Sequence, residues 1–263
     1  MSISLRSFIP YSFIRVFRAL RQQREKRIYQ GSDVTCPVCG SSFGSFAPYR
    51  PSNRPNARCV QCGALERHRM QVLYLTEKTD LFAAGSPMKL LHFAPEKPLY
   101  DIIVRYDHID YTRCDLSPRS ADFRDIPDVQ KADLTRLAFP DNCFDVILCN
   151  HVLEHIDDDR LAMKELYRVM APGGWGIFQV PIRRRNEKTY EDFSITSASG
   201  RKKAFGQHDH VRVYGRDYPE RLAGAGFTVI QDDFARTIPE ADQRRFGINP
   251  REVVYLCKKN KQA

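Results

Sequence analysis

Between Phe144 and Pro181 the pattern of apolar and polar positions is at its clearest. Phe144–Cys149 (FDVILC) is an unbroken apolar run apart from Asp145, as expected of a strand buried on both faces of a parallel sheet. Asp157–Asp159 then offers carboxylates for an N-cap. Ala162, Leu166, Val169 and Met170 follow at i, i+4, i+7 and i+8, one face of a helix. Pro172-Gly173-Gly174 stops that helix, and Trp175–Val180 resumes as a strand. The stretch predicts one βαβ unit. Its polar pair Asn150-His151 falls at the carboxyl end of the first strand, where open α/β sheets place their ligands.

The alternation extends on both sides. Lys89–Phe93, His108–Cys114, Val129–Ala132, Phe227–Gln231 and Glu252–Lys258 read as further strands, and Pro98 to about Arg105 and Asp217–Ala225 as helices. The polar segment 182–214 is too long for an idle connection. Upstream, 64–82 reads as a helix with Leu65, Val72, Leu75 and Leu81 inward. His68 on that helix reads as structural rather than as a metal ligand. On an N-terminal helix, Ile9, Phe13, Val16, Phe17 and Leu20 share one face while Arg15, Arg18 and Arg21 point away. The chain therefore divides into a basic amphipathic segment (1–30), a cysteine-rich module (31–63), a linking helix (64–87) and an α/β domain (88–263).

Composition narrows the setting. The 263 residues carry a formal net charge of +9, which suggests an anionic partner, nucleic acid or an acidic membrane surface. No apolar run approaches the roughly 18–20 residues of a transmembrane span, and arginines interrupt any secretory signal. The expectation is a cytoplasmic protein, with peripheral contact at the inner face of the membrane through residues 1–30 as one role for the basic helix. A helix docked on the protein's own core or on a second subunit is the other.

Of eight cysteines, Cys114, Cys143, Cys149 and Cys257 are scattered in or near predicted strands and read as small apolar residues. Cys36/Cys39 and Cys59/Cys62 instead form two Cys-x-x-Cys-Gly knuckles. Gly40 and Gly63 give each turn its backbone freedom. Four thiolates at about 2.3 Å around one Zn2+ make a closed, structural site, since no coordination position is left open. Arg50, Arg54 and Arg58 make the loop between the knuckles basic.

From CFDVILCNHVLEHIDD through LYRVMAPGGWGIFQVP, and over about 88–258, the chain resembles class I S-adenosylmethionine-dependent methyltransferases of the type 11 group. The resemblance implies a Rossmann-like seven-stranded sheet of order 3-2-1-4-5-7-6 with strand seven antiparallel, preceded here by the zinc ribbon. It also implies S-adenosyl-L-methionine bound across the carboxyl ends of strands one to four. On that alignment Asp115 takes the ribose hydroxyls, because a carboxylate accepts both protons at once. A turn cap in Asp-Leu-Ser-Pro is its alternative role. Asp133 and Leu134 take the adenine, and Asn150 and His151 line the methionine and methyl end.

One motif departs from the family. Where it has an acidic residue and a glycine-rich turn, this chain has His92-Phe93-Ala94-Pro95-Glu96-Lys97-Pro98. His92 and Ala94 occupy cofactor positions. Glu96 is expected to receive the methionine ammonium in place of the missing acid, against the alternative that it only caps the next helix. A nicotinamide-binding reading is weaker, since it needs the absent glycines.

Methyl transfer to a hydroxyl or amine needs alignment and a base. His151, His208 and His210 are the candidates. His208, His210, Arg212 and Tyr214 would share one face of an extended segment, with Arg212 placed to hold an anionic acceptor. His155 reads as structural. Three readings stay open: methylation of a small-molecule or glycan acceptor, at a hydroxyl; an RNA methyltransferase whose ribbon and basic surface hold RNA; and a non-catalytic binding protein with a degenerate cofactor turn.

Overall fold

The computed structural model describes residues 11–49, 53–83, 85, 87–120 and 123–261, with the backbone alone for 11–15. The strands are β1 (Val34–Thr35), β2 (Ser42–Phe43), β3 (Ala47–Tyr49), β4 (Arg54–Arg58), β5 (Met88–Phe93), β6 (Ile109–Asp115), β7 (Gln130–Lys131), β8 (Phe144–Asn150), β9 (Met170–Gln179), β10 (Tyr190–Glu191), β11 (Arg212–Val213), β12 (Thr228–Asp232) and β13 (Val254–Lys258). The helices are α1 (Tyr11–Ile28), α2 (Glu66–Lys78), α3 (Lys97–Ile103), α4 (Asp159–Val169), α5 (Ala198–Phe205), α6 (Tyr218–Ala223), α7 (Phe234–Thr237) and α8 (Glu240–Phe246). They form two compact units. One holds the residues up to Lys78 together with Ala235–Glu252. The other holds Thr79–Phe234 and Val253 onward.

The second unit is built on a seven-stranded sheet of order β12-β13-β9-β8-β5-β6-β7. β5, β6, β7, β8 and β9 are parallel, and β13 is antiparallel to both β9 and β12. Numbered within the sheet, this is the expected order 3-2-1-4-5-7-6 with the seventh strand reversed. Val146, Ile147, Leu148 and Cys149 are fully buried, as the apolar run requires of a central strand. The inward face of α4 is the predicted one: Ala162, Leu166 and Val169 are inaccessible, and Asp158 caps the helix by accepting from Leu161 N at 2.9 Å. β9 begins earlier than predicted, at Met170. Residues 171–174 are looped out between the pairs Phe144–Met170 and Val146–Trp175, with Gly173 at φ +86°.

The 182–214 segment is structured. Ser197 caps α5, Gly206 at φ +96° ends it, and β10 pairs with β11 as a short antiparallel ribbon.

In the first unit, the apolar stripe of α1 is uncovered where it is described. Val16, Phe17 and Leu20 are 56 %, 68 % and 58 % exposed. The later turns are tied down through Gln22 Nε2 to Val60 O and Arg58 to Glu25 at 2.7 Å. Ile9 and Arg50, and the side chains of Phe13 and Arg15, lie outside the described residues. His68 accepts from Leu65 N at 3.1 Å through Nδ1, which secures the start of α2 rather than a metal.

Two boundaries differ from the sequence reading. α2 stops at Lys78, so 79–87 belongs to the second unit. Residues 235–252, placed by sequence within the 88–263 domain, belong to the first. The cause is Arg69, which is fully buried in α2. Its Nη1 donates to Ala57 O (2.8 Å) and Ala64 O (3.0 Å), its Nε to Phe246 O (2.6 Å) and its Nη2 to Gly247 O (2.9 Å). One guanidinium thus joins the ribbon, α2 and the end of α8.

Candidate active site

The expected cofactor positions fall at the carboxyl ends of β5, β6, β7 and β8. After β5 the chain turns sharply. Ala94 lies at φ +48°, in the left-handed region, and its N–H donates to Cys114 O at 2.9 Å. The turn thus takes, at a position where the family has glycine, a backbone conformation that glycine favours. Glu96 opens α3, yet its side chain makes no capping hydrogen bond. Its Oε2 instead accepts from Asn150 Nδ2 at 3.2 Å, reaching across to the end of β8.

His92 is fully buried, with Nδ1 2.8 Å from Tyr111 Oη on β6. Burial pushes the Tyr111 phenol well up, and the Arg113 guanidinium lies 5.1 Å from its ring centroid. His92 therefore sits within an aromatic cluster rather than on an open wall. Asp115 Oδ1 accepts from Ser117 N at 2.6 Å, so one carboxylate oxygen shapes its own turn. Asp133 behaves alike, with Oδ1 accepting from Thr135 N (2.9 Å) and Thr135 Oγ1 (2.7 Å). These bonds hold its carboxyl below the usual range. Leu134 beside it is buried.

At the end of β8, Asn150 is buried and His151 adopts φ +54°, a conformation that for a non-glycine residue marks a constrained site. The His151 N–H donates to Gln179 O at 2.7 Å, and its Nδ1 lies 3.3 Å from Glu154 Oε1. Glu154 belongs to a 3₁₀ turn, Leu153–His155, and is 2 % exposed. Sequence reading passed it over. The available signal was its i+3 spacing from His151, which puts the two on one side of a helical turn.

The 208–214 segment differs from an extended strand with one functional face. His208 is largely exposed beside Asp209, whereas His210 through Gly215 are all buried. His210 packs edge-on against His155, ring centroids 4.7 Å apart, and burial pushes its pKa down against the raising effect of Glu154. Val211 N donates to Glu154 O at 2.9 Å, fixing this segment to the 3₁₀ turn.

Arg212 is not available to an acceptor. It is 1 % exposed, donates to Leu153 O (2.9 Å), Asp157 O (2.8 Å) and Ile156 O, and pairs with Glu191 at 3.0 Å. Tyr214 Oη donates to Asp159 Oδ2 at 2.6 Å. Arg221 bridges Asp159 and Glu191, each at 2.7 Å. Two arginines and two carboxylates thus balance one another in the interior, as buried charges must. The sequence signalled this pairing for neither Asp159, read there only as a possible helix cap, nor Glu191, because their partners lie 21 to 62 residues away.

In the other unit, the two knuckles have the same backbone. Gly40 N donates to Cys36 O (2.8 Å) and Gly63 N to Cys59 O (2.9 Å), with both glycines at positive φ, +72° and +77°. Cys36 and Cys62 Sγ are 3.7 Å apart, as are Cys39 and Cys59 Sγ. A tetrahedron with metal–sulfur bonds of about 2.3 Å has edges of about 3.8 Å, so the four thiols fit a zinc ion.

Residues 99–178, from α3 through most of β9, match the family described as a methyltransferase domain. Over 103 residues the chain is 33 % identical to phosphoethanolamine N-methyltransferase 3 of Arabidopsis thaliana, covering 39 % of this chain and 19 % of that one. Over 68 residues it is 36 % identical to the ubiquinone/menaquinone biosynthesis C-methyltransferase UbiE of Enterobacter sp. (strain 638), covering 25 % and 27 %. The chain thus spans only about a fifth to a quarter of these curated relatives. Among solved structures, phosphoethanolamine N-methyltransferase 2 of Haemonchus contortus in complex with S-adenosyl-L-methionine is 15 % identical, at a TM-score of 0.43 over 65 % of this chain and 40 % of that one. Residues 99–178 thus match a methyltransferase domain, and the sheet order and the β8–α4–β9 crossover around them are those expected from the resemblance to class I S-adenosylmethionine-dependent methyltransferases.

Proposed function

We propose that this protein transfers a methyl group from S-adenosyl-L-methionine to a hydroxyl of a small-molecule or glycan acceptor. The observation that carries the reading is the Glu96–Asn150 contact. It sets a carboxylate at the strand ends close to where the family's first-strand acid is missing, and leaves that carboxylate unused as a helix cap. In this reading Glu96 receives the methionine ammonium, Asp115 the ribose, and Asp133 with Leu134 the adenine. His92 supports the turn from behind, and Ala94 supplies its left-handed residue.

When bound, the cofactor supplies an electrophilic methyl on a sulfonium whose leaving group is neutral. The protein's part is then alignment and removal of the acceptor's proton. His151 is the base this reading favours, since Glu154 at Nδ1 leaves Nε2 to accept a proton. His208 is largely exposed and His210 is buried against His155. Residues 36–62 hold a structural zinc. The uncovered Val16, Phe17 and Leu20, among arginines, support peripheral contact of α1 with an acidic membrane surface.

Calorimetry with S-adenosylmethionine tests the reading: zinc-loaded protein that binds none is a non-catalytic binding protein. Tritium transfer from labelled cofactor into fractionated extract then identifies the acceptor. Label in the lipid-linked glycan or small-molecule pool is expected, and label in RNA alone would replace the hydroxyl reading with the RNA one.

A further inference from the structure

We infer that Glu154, His155 and His210 form a second metal site, distinct from the four cysteines, that takes a divalent transition-metal ion at the acceptor side of the domain. Each residue offers one ligand atom, and the three atoms lie within 4.8 Å of one another. Glu154 and His210 are 2 % and 4 % exposed, and Glu154 Oε2 and His210 Nε2 have no hydrogen-bond partner among the described residues. Leaving two such polar atoms unsatisfied in the interior is unfavourable. They are not hydrogen-bonded to one another, yet lie close enough to share an ion. A bound ion removes both penalties.

The surroundings are those of a ligand set. Asp209 lies 3.5 Å from His155 Nδ1, the outer carboxylate that ligating histidines ordinarily have. Glu154 Oε1 is held by His151, which leaves Oε2 to turn the other way. The backbone bond from Val211 N to Glu154 O keeps His210 in register with the turn that carries the other two ligands. Two imidazoles and one carboxylate suit zinc, manganese, iron(II) or cobalt rather than magnesium or calcium. Three protein ligands leave coordination positions open, and a cavity of about 340 Å³ adjoins Glu154 and His210, walled by Ile182, Arg183, Phe205 and Gln207. Resting on the methyltransferase reading, the ion would bind the acceptor through oxygen and favour its deprotonated form, with Arg183 beside it. That selects an acceptor bearing a hydroxyl next to a second oxygen donor.

The test is titration of the full-length protein with Co2+ alone, after labile metal has been dialysed away and the cysteine-bound ion retained. One further Co2+ per chain is expected, with weak visible bands and no thiolate charge transfer. Loss of a ligand should cost at least the about 10–100-fold that loss of an outer partner costs. His155→Ala and His210→Ala should therefore weaken this ion tenfold or more, while Cys59→Ser leaves it in place. His155 is partly exposed, so its variant keeps the fold if His210→Ala does not. No second ion, or one indifferent to His155→Ala, would overturn the site. Calorimetry with S-adenosylmethionine on the same samples separates the two ideas: cofactor binding without the ion defeats only the site, and the ion without cofactor binding defeats only the enzyme reading.

Discussion

Glu96 Oε2 accepts a hydrogen bond from Asn150 Nδ2 at 3.2 Å, joining the ends of β5 and β8, which are hydrogen-bonded neighbours in the sheet. The proposed role of Glu96 depends on its charge, while its bond to Asn150 needs only an oxygen. Glu96→Gln separates the two. A charge-assisted bond is worth about 1.5–3 kcal/mol, so the variant should lose about ten- to a hundredfold in S-adenosylmethionine affinity with its melting temperature unchanged. Asp115→Ala should weaken binding comparably. Wild-type affinity in Glu96→Gln by calorimetry would return Glu96 to a structural role.

Ala94 occupies the left-handed region at φ +48° without the freedom of glycine. That conformation costs a non-glycine residue roughly 1–2 kcal/mol, part of which glycine gives back through unfolded-state entropy. Ala94→Gly should therefore stabilise the protein by up to about 1 kcal/mol. Ala94→Val should destabilise it by more, since a β-branched residue tolerates positive φ least. Urea midpoints decide this, and a less stable glycine variant would mean that the turn is held by packing rather than strained.

The contrast between these residues shows what the chain made legible. The β8–α4–β9 crossover followed from local signals, the apolar run at 144–149 and the spacing of Ala162, Leu166 and Val169, whereas the order of the whole sheet came from the family resemblance and the helix ends at Val169, ahead of Gly173-Gly174. The cysteine knuckles were equally local. Arg212 was misread because alternation along a strand says nothing about carbonyls 55 to 59 residues away, and those carbonyls are what bury it. Residues 235–252 were assigned by continuity, whereas their partner Arg69 lies 177 residues earlier. Glu154 lay in plain view, but its importance depends on His210, which only the fold brings to it.

Arg69 makes a sharp prediction for the first unit. Removing it orphans four carbonyls, two of them buried, and uncovers the face of Phe46, over which its guanidinium stacks at 3.8 Å. Arg69→Ala should cost about 3 kcal/mol or more and speed zinc release to a chromogenic chelator. Arg69→Lys should not rescue it, since an ammonium cannot reproduce a planar fork reaching acceptors on three segments. Metal analysis should find one zinc per chain in the ribbon, lost in Cys59→Ser. A lysine variant as stable as the native protein would show that only charge, not geometry, matters there.

Arg168, at the end of α4, supplies the pH dependence. It donates to Glu165 (2.7 and 2.9 Å), Asp141 (2.6 Å), Phe139 O (2.8 Å) and Leu137 O (2.9 Å), while Glu165 also accepts from Leu137 N (2.8 Å). The Arg168 hydrogen bonds, aided by that from Leu137, hold the Glu165 carboxyl below its ordinary value of 4.5. Because the folded pKa lies below the unfolded one, the unfolded state binds the proton more readily. The contribution is thus fully present above about pH 4.5 and disappears as pH falls through the folded value. Arg168→Ala should cost about 1–3 kcal/mol at neutral pH. It should also flatten the loss of stability on acidification, because Glu165 then titrates nearer its ordinary value. Urea unfolding of both proteins from pH 7 down to pH 3 measures the two slopes, and parallel curves would show that Glu165 is held by the Leu137 N–H and not by Arg168.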